Sequence, residues 1–174
     1  MKHFLVVVDI QNDFVDGSLG TKEALSIIDN AAKKIEEFNG EIFVTYDTHF
    51  EDYLNTAEGQ KLPVTHCIND TAGWQLNAKI QKALEGKKYT SVEKLTFGSL
   101  ELPTLIKNAA GDEEFDITLI GLCTDICVVS NALILKASFY EKEIFVIEDC
   151  CAGVTPASHA AAITTMKMCQ INVI

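Results

Sequence analysis

Two cysteines four residues apart follow an apolar run in the second half of the chain. Cys123 and Cys127 lie in the segment GLCTDICVVSNA at residues 121–132, and the Thr124 and Asp125 between them are residue types that cap helix N-termini. Four roles are open to the pair: a disulfide, two ligands of a metal ion, core packing, or a nucleophile. The surrounding residues have to distinguish among them.

The chemistry open to Cys127 depends on the helix predicted to follow it. A disulfide is disfavoured by the geometry within one helical turn, and the other cysteines lack the spacing of an all-thiolate metal site. Core packing stays open, because free cysteine is among the most buried residue types. A thiol in the first helical turn can instead have a lowered pKa, since the helix dipole and unpaired N–H groups favour the thiolate. Because these N–H groups can also hold an oxyanion, Cys127 is the candidate nucleophile.

A nucleophilic thiol needs a base, and Asp9 is the candidate. Asp9 ends the first predicted strand, and burial beside an apolar strand raises the pKa of a carboxyl toward the range that is useful for a base. Its alternative role is to cap a turn. Two of the four His residues, His3 at the start of the first strand and His159 in a late predicted helix, are poorly placed to serve instead.

The other two His residues lie in a long segment, residues 48–73, that has no clear hydrophobic periodicity. Connections of this length in compact domains are usually functional or disordered. Asp47 and His49 are two residues apart, so both side chains point to one side of an extended chain, and Glu58 and His66 follow. Mixed carboxylate and imidazole ligands suit zinc, iron or manganese. The segment is therefore a candidate site for one divalent ion, with solvated side chains as the alternative.

Length and charge limit the class of protein. At 174 residues the chain is expected to form one domain, residues 1–174. The formal net charge of −11 argues against a nucleic-acid partner, which would require a basic face. No signal-like segment opens the chain and no apolar run reaches membrane length, so we expect a soluble, cytoplasmic protein with reduced thiols and no membrane partner. The oligomeric state stays open, and a homo-oligomer is compatible with the sequence.

Apolar runs rich in Val and Ile alternate with segments of helical periodicity, which is typical of βαβ units on a parallel sheet. We predict an α/β fold with a doubly wound, Rossmann-like, mostly parallel six-stranded sheet in the order 3-2-1-4-5-6 and helices on both faces. Ligands bind such sheets where the winding reverses, beyond the carboxyl ends of strands 1 and 4. Asp9 ends strand 1 and Cys127 follows strand 4, so this order would bring them together. The predicted strands are Phe4–Asp9, Glu41–Asp47, Lys88–Glu93, Asp116–Gly121, Glu143–Glu148 and Gln170–Ile174, and the predicted helices are Thr21–Phe38, Gln75–Leu84, Leu100–Asn108, Ile126–Tyr140 and Pro156–Met168.

Three motifs, DIQNDF at residues 9–14, EKLTFGS at 93–99 and GLCTDICV at 121–128, together resemble the isochorismatase-like cysteine hydrolase superfamily. They follow predicted strands 1, 3 and 4, so the resemblance spans nearly the whole chain. The resemblance implies that Asp9 is the general base, that Lys94 is the cationic member of the site, and that the nucleophile is the cysteine of the third motif.

The resemblance also implies different roles for the two cysteines of the third motif. Members carry a cis peptide where this chain has Leu122–Cys123, and it turns backbone N–H groups inward as an oxyanion hole. Transferred here, the backbone N–H groups of Cys123 and Cys127 would form that hole. The Cys123 thiol itself would then have no part in the chemistry.

The loop at residues 48–73 is similar to that of the nicotinamidase branch, which carries a metal site there. The branch has an Asp-x-His start, as at Asp47 and His49, and a later His before Cys, as at His66. The commonest version has a further His near the position of Tyr53, whereas other members use a Glu further along, which Glu58 matches. The resemblance implies one divalent ion, with zinc favoured over iron or manganese.

All 14 basic residues are Lys, so the chain offers no planar two-pronged donor for a carboxylate, and a neutral amide is the favoured substrate. The resemblance then implies nicotinamidase activity, with the ring nitrogen of nicotinamide on the metal and the ring packed on Phe14 and Trp74. Core packing is the alternative for both aromatic residues. Two further functions stay open: a hydrolase of the same superfamily for another small amide or a vinyl ether, and a noncatalytic metal-binding or scaffold protein on this fold.

Overall fold

Six parallel strands form one sheet in the computed structural model, which describes residues 1–174. Their order is β3-β2-β1-β4-β5-β6, so the predicted α/β class and strand order are confirmed. The strands are β1 (Lys2–Val8), β2 (Glu41–Asp47), β3 (Tyr89–Lys94), β4 (Phe115–Leu122), β5 (Ile144–Ala152) and β6 (Asn172–Val173). The α-helices are α1 (Asn12–Val15), α2 (Lys22–Glu37), α3 (Ala57–Lys61), α4 (Ala78–Leu84), α5 (Leu102–Ala110), α6 (Val129–Ser138) and α7 (Pro156–Met168), with a 3₁₀ turn at Tyr53–Asn55 and a π-helical turn at Thr124–Val128.

The central strand β1 explains why helices cover both faces of the sheet. Its residues Phe4, Leu5, Val6, Val7 and Val8 are all fully buried. Because side chains alternate along a strand, Leu5 and Val7 pack with α2 and α4 on one face, while the other three pack with α5, α6 and α7 on the opposite face. The sheet therefore lies between two apolar layers.

Strands β1 and β4 approach most closely just before the point where both end. Val8 pairs with Gly121, and a Cβ atom on Gly121 would lie 2.1 Å from the Val8 carbonyl oxygen. Gly121 also has a φ of +126°, a conformation that side-chain-bearing residues rarely adopt. Glycine at this position thus allows the two strands to deliver Asp9 and Cys127 to the same edge of the sheet.

The helix that was predicted to begin at Ile126 begins at Val129, after the π-helical turn, and the two predicted capping residues have other partners. The Thr124 hydroxyl is hydrogen-bonded to Nδ1 of His159 at 2.9 Å. The Asp125 carboxylate accepts a hydrogen bond from the backbone N–H of Val154. Neither side chain caps the turn, because Thr124 contacts helix α7 and Asp125 contacts the β5–α7 connection instead.

Short elements account for most of the differences from the predicted secondary structure. Helix α1, the 3₁₀ turn and α3 were not predicted, because segments of three to five residues are too short to display a period. Strand β5 continues past Glu148, and β6 is shorter than Gln170–Ile174. No helix in this structure combines the length and the apolar character that crossing a membrane requires.

Candidate active site

The Cys127 thiol lies in a buried cluster with Asp9 and Lys94 at the carboxyl edge of the sheet. The Lys94 Nζ atom is 2.6 Å from Asp9 Oδ2 and 3.7 Å from Cys127 Sγ. The three residues are at most 5% exposed. Strand β1 supplies the carboxylate, β3 the ammonium and the turn after β4 the thiol, so the strand order brings together residues that are far apart in sequence.

Burial sets the protonation of the thiol. Burial raises the pKa of Cys127 well above its ordinary value, and the neighbouring Asp9 carboxylate raises it further. The Lys94 ammonium lowers this pKa, but by less than burial and Asp9 raise it. The expectation that the start of a helix would lower this pKa is therefore wrong for this fold. A protonated thiol near a carboxylate can react only if the carboxylate removes its proton during attack.

The Asp9 carboxyl is held in place from two sides. The Thr45 hydroxyl donates a 2.6 Å hydrogen bond to Asp9 Oδ1, and the Asp9 backbone N–H donates to the Thr45 carbonyl at 3.2 Å. Burial raises the pKa of Asp9, and the opposing effect of Lys94 does not cancel it. The pKa of Lys94 is also raised, because Asp9, Cys127 and Asp47 together outweigh the effect of burial. The cluster thus holds one positively charged group, the Lys94 ammonium, close to the acidic groups of Asp9, Cys127 and Asp47.

Asp47, His49, Glu58 and His66 form a second cluster beside the first. One ligand atom from each residue lies within 4.8 Å of the ligand atoms of the other three. Asp47 Oδ2 is 3.0 Å from His49 Nε2 and 3.5 Å from His66 Nε2, and Glu58 Oε1 is 3.7 Å and 3.6 Å from the same two nitrogens. Two imidazoles and two carboxylates that converge in this way fit a divalent ion such as zinc, iron or manganese.

The orientation of the imidazoles and the charge of Asp47 also suit a metal ligand set. His66 Nδ1 is hydrogen-bonded to the Val64 carbonyl at 2.8 Å, which directs Nε2 toward the cluster. Burial opposes ionisation of Asp47, but hydrogen bonds from His49 and His66 outweigh it and lower the pKa of this carboxyl. Asp47 is therefore an anion in the buried site.

Two residues of the motif at positions 9–14 hold the metal cluster through its backbone, and the sequence did not identify them. The Gln11 side chain accepts a hydrogen bond from the Asp47 N–H and donates one to the Asp47 carbonyl, both at 2.8 Å. Asp13 accepts the N–H of Cys67, the residue after His66, at 2.8 Å. Their place in the same motif as Asp9 was the only available signal.

A cavity of about 830 Å³ opens onto both clusters. Its lining includes Phe14, whose ring centroid is 5.5 Å from that of His66, as well as Tyr53 and the mouth residues Leu95 and Phe97. Trp74 does not line it, contrary to the expected stacking role. Its ring packs on Tyr46 with centroids 5.0 Å apart, and its indole N–H donates to Thr48 Oγ1. Both partners of Trp74 also lie outside the cavity lining.

The peptide bond between Leu122 and Cys123 is cis, as the resemblance implied. The carbonyl of Cys123 accepts hydrogen bonds from the N–H groups of Ile126 and Val128 at 3.1 and 3.0 Å, which closes the turn that carries Cys127. Cys123 also lines the cavity, and burial raises the pKa of its thiol to about 12. The oxyanion role of the two backbone N–H groups stays a prediction.

Comparisons with known proteins agree with this fold and site. The sequence pattern of the isochorismatase domain matches residues 3–174. An uncharacterized isochorismatase family protein, PncA of Bacillus subtilis (strain 168), is 30% identical over 143 residues, which cover 76% of this chain and 78% of that protein. The crystal structure of nicotinamidase/pyrazinamidase PncA from Bacillus subtilis superposes with a TM-score of 0.85 and 24% identity over 99% of each chain. The pyrazinamidase of Pyrococcus horikoshii in complex with zinc gives a TM-score of 0.83 and 22% identity over 100% of this chain and 99% of that one.

The domain match and the doubly wound parallel sheet, with Cys127, Asp9 and Lys94 buried together at its carboxyl edge, define the class of protein as a hydrolase with a Rossmann-like fold. The chain belongs to the isochorismatase family.

Proposed function

We propose that this protein is a metal-assisted cysteine amidohydrolase, and specifically a nicotinamidase that converts nicotinamide and water to nicotinic acid and ammonia. The observation that carries the proposal is that the Cys127 thiol and the Asp47, His49, Glu58 and His66 cluster line the same cavity. A nucleophile and a metal-binding site that share one cavity suit an aromatic amide with a ring nitrogen.

Asp9 and Cys127 perform the first chemical step. Asp9 accepts the thiol proton as the sulfur attacks the amide carbon, and the carbonyl oxygen becomes an oxyanion. The Lys94 ammonium, 3.7 Å from the sulfur, and the backbone N–H groups of Cys123 and Cys127 stabilise the negative charge that develops. When the tetrahedral species collapses, the C–N bond breaks, and the proton held by Asp9 passes to the departing ammonia. A thioester on Cys127 remains.

The second step returns the enzyme to its starting state. Asp9 removes a proton from water, the hydroxide oxygen bonds to the thioester carbon, and the C–S bond breaks to release nicotinic acid. The departing sulfur takes the proton held by Asp9, which restores the Cys127 thiol and the Asp9 carboxylate. Asp47, His49, Glu58 and His66 would hold a divalent ion, which would supply a Lewis acid for the pyridine nitrogen of the substrate. Phe14, beside His66, offers a face for the ring.

A second candidate is a hydrolase of the same family for a larger amide, and the cavity volume favours it. At about 830 Å³ the cavity is in the upper part of the range for drug-sized ligands, roughly 300–1,000 Å³, and so exceeds the needs of a single ring. The uncharged apolar residues at the mouth, Leu95 and Phe97, are compatible with a larger apolar substituent on the amide.

Ammonia release from nicotinamide by wild type and by Cys127→Ala tests the proposal. We expect steady release by wild type and none above background by the variant. Equal rates in the two proteins would refute the thiol mechanism. Turnover of other amides without any turnover of nicotinamide would favour the second candidate.

A nicotinamidase would supply nicotinic acid to pyridine nucleotide salvage. The six free cysteines suit a reducing compartment such as the cytoplasm.

A further inference from the structure

A buried amide side chain, Asn131, joins the turn of the proposed nucleophile to the segment that follows β3. Asn131 is 0% exposed. Its Oδ1 accepts a hydrogen bond from the Ser99 N–H at 2.9 Å. Its Nδ2 donates to the carbonyl of Cys127 at 2.8 Å and to that of Phe97 at 3.3 Å. One side chain therefore contacts the backbone of both segments.

The segment that Asn131 holds, residues 95–99, forms one wall of the cavity, and we call it the wall segment. It begins directly after Lys94, whose ammonium contacts the thiol. Leu95 and Phe97 line the cavity and are 63% and 45% exposed. Because these apolar side chains are half open to solvent, their own packing contributes little to fixing the segment, and the backbone hydrogen bonds to Asn131 carry more of that task.

Gly98 allows the wall segment to lie directly on helix α6. A Cβ atom at Gly98 would lie 2.5 Å from Ile134 Cδ1 and 3.2 Å from Ser130 Cβ, both on that helix. A side chain at this position would have to displace the end of Ile134 and crowd Ser130. The hydrogen bonds of Asn131 lie at this same contact.

We propose that Asn131 is a positioning and specificity-determining residue that fixes the separation between Cys127 and the wall segment. That separation determines which substrate groups can pack between the Cys127 thiol and the wall segment. Asn131 contacts backbone atoms only, so it acts through the wall segment and not on the reacting atoms. The proposal rests on the proposed function in one respect, because the alkylation assay uses Cys127 as the reactive thiol.

The substitution Asn131→Asp tests this role with little change of volume. It replaces the NH₂ donor by a carboxyl oxygen, so at least one of the two hydrogen bonds to the carbonyls of Cys127 and Phe97 is lost, while the oxygen that accepts the Ser99 N–H is kept. The assay compares alkylation of Cys127 by iodoacetamide and by N-benzyl iodoacetamide, with the site assigned by mass spectrometry. We expect wild type to favour the benzyl reagent, which packs on the apolar wall, and Asn131→Asp to reduce that preference about fivefold with little change in the iodoacetamide rate.

Two further variants control the experiment. Ser130→Ala removes a hydroxyl that donates to the Ile126 carbonyl but keeps the Cβ that faces Gly98, so the preference should not change. Gly98→Ala places a methyl group against Ser130 Cβ and the movable end of Ile134, so the preference should fall, but by less than in Asn131→Asp. If Asn131→Asp does not fold, Asn131→Leu, which removes the same hydrogen bonds, takes its place. An unchanged preference, or an equal slowing of both reagents, in the Asn131 variant overturns the proposal.

Two other measurements separate this role from a purely structural one. If nicotinamide is the substrate, Asn131→Asp should raise KM severalfold while kcat changes by less than about twofold. Hydrogen exchange at the Ser99 amide should accelerate at least tenfold in Asn131→Leu, which removes the oxygen that accepts this N–H, with core strands unchanged. If wild type resists both alkylating reagents because the Cys127 thiol is buried, hydrogen exchange decides the role of Asn131, and unchanged protection at Ser99 in Asn131→Leu overturns it.

Discussion

The Lys94 ammonium lies 3.5 Å from Asp47 Oδ1, and this contact joins the thiol cluster to the candidate metal cluster. The same ammonium lies 2.6 Å from the Asp9 carboxylate. One buried cation is thus shared between the proposed general base and a proposed metal ligand. The two clusters therefore form a single site. A change of charge in one cluster alters the electrostatic potential at the residues of the other.

The two cysteines of the motif should respond very differently to substitution. Cys127→Ala removes the attacking sulfur, so we expect amide hydrolysis to fall at least about 10⁴-fold, to background. Cys123→Ala leaves its backbone N–H in place, so we expect it to retain most of the activity. Ammonia release at saturating nicotinamide measures both.

Cys169→Ala is a matched control for loss of a thiol, because Cys169 is exposed and lies outside the cavity. It should match wild type. A Cys123→Ala variant as inactive as Cys127→Ala would contradict the division of roles, since it would show that the Cys123 sulfur itself is required.

The pH dependence of kcat/KM should report the carboxyl of Asp9. Burial raises the pKa of Asp9, and the base acts in its ionised form, so activity should fall as the pH decreases through a value above that of an ordinary Asp, about 3.9. Thr45→Val removes the 2.6 Å hydrogen bond that favours the ionised carboxylate. The loss should raise the pKa of Asp9 further and move the acid limb of the profile to higher pH.

Thr45→Ser keeps a hydroxyl at the same place and controls for changes in packing. Its acid limb should stay close to that of wild type. An acid limb that does not move in Thr45→Val would argue that Asp9 is not the group whose ionisation limits the rate.

The parts of this molecule that depend on local pattern could be predicted from sequence. Apolar runs rich in Val and Ile that alternate with helical segments indicated a doubly wound parallel sheet, and the strand order follows from that class of fold and not from individual residues. Asp9 and Cys127 were placed together because both follow strands that meet where the winding reverses. The resemblance added Lys94 and supported the metal loop that residue types and spacing had already indicated, and the structure brings its four candidate ligands within 4.8 Å of one another.

Features that depend on contacts between distant segments could not be predicted. Gln11 acts on the backbone of Asp47, 36 residues away, and Asp13 on that of Cys67, 54 residues away. The pKa of Cys127 was predicted with the wrong sign, because the sequence shows a helix start but not complete burial. The cavity role predicted for Trp74 was not borne out, since a single aromatic residue in a loop does not reveal which face of the loop it occupies.

Removal of both imidazoles should abolish metal binding. We expect wild type to retain about one equivalent of a divalent ion, with zinc favoured, and His49→Ala, His66→Ala to retain almost none. Elemental analysis of the purified proteins measures the stoichiometry. His3→Ala is the control, because this exposed His pairs with Asp116 outside the site and its loss should leave the metal content unchanged. Full occupancy in the double variant would refute the ligand assignment.

The part played by Glu58 is testable separately. Its carboxylate is 3.6 Å from His66 Nε2 and 3.7 Å from His49 Nε2, so Glu58→Gln should weaken metal binding without abolishing it. A loss of about 10- to 100-fold in affinity is reasonable for one altered ligand among four. Competition with a chelator measures the change. As a control, Glu51→Gln alters an exposed residue of the same loop and should keep the metal affinity of wild type. A wild-type metal affinity in Glu58→Gln would show that Glu58 is not a ligand.

The shared cation also predicts a distinctive pattern of stability. Lys94→Met leaves the Asp9 carboxylate buried without its partner, which typically costs about 3–5 kcal/mol in the free energy of unfolding. Asp9→Asn removes that unpaired charge, so Lys94→Met combined with Asp9→Asn should be destabilised by less than the sum of the two single variants. Urea unfolding of the four proteins, analysed as a double-mutant cycle, measures the coupling. Purely additive losses would show that the 2.6 Å contact between Lys94 and Asp9 contributes no interaction energy. As a control, Lys142→Met removes a cation that is 25% exposed and pairs with an exposed carboxylate, so it should cost no more than about 1 kcal/mol in the same assay.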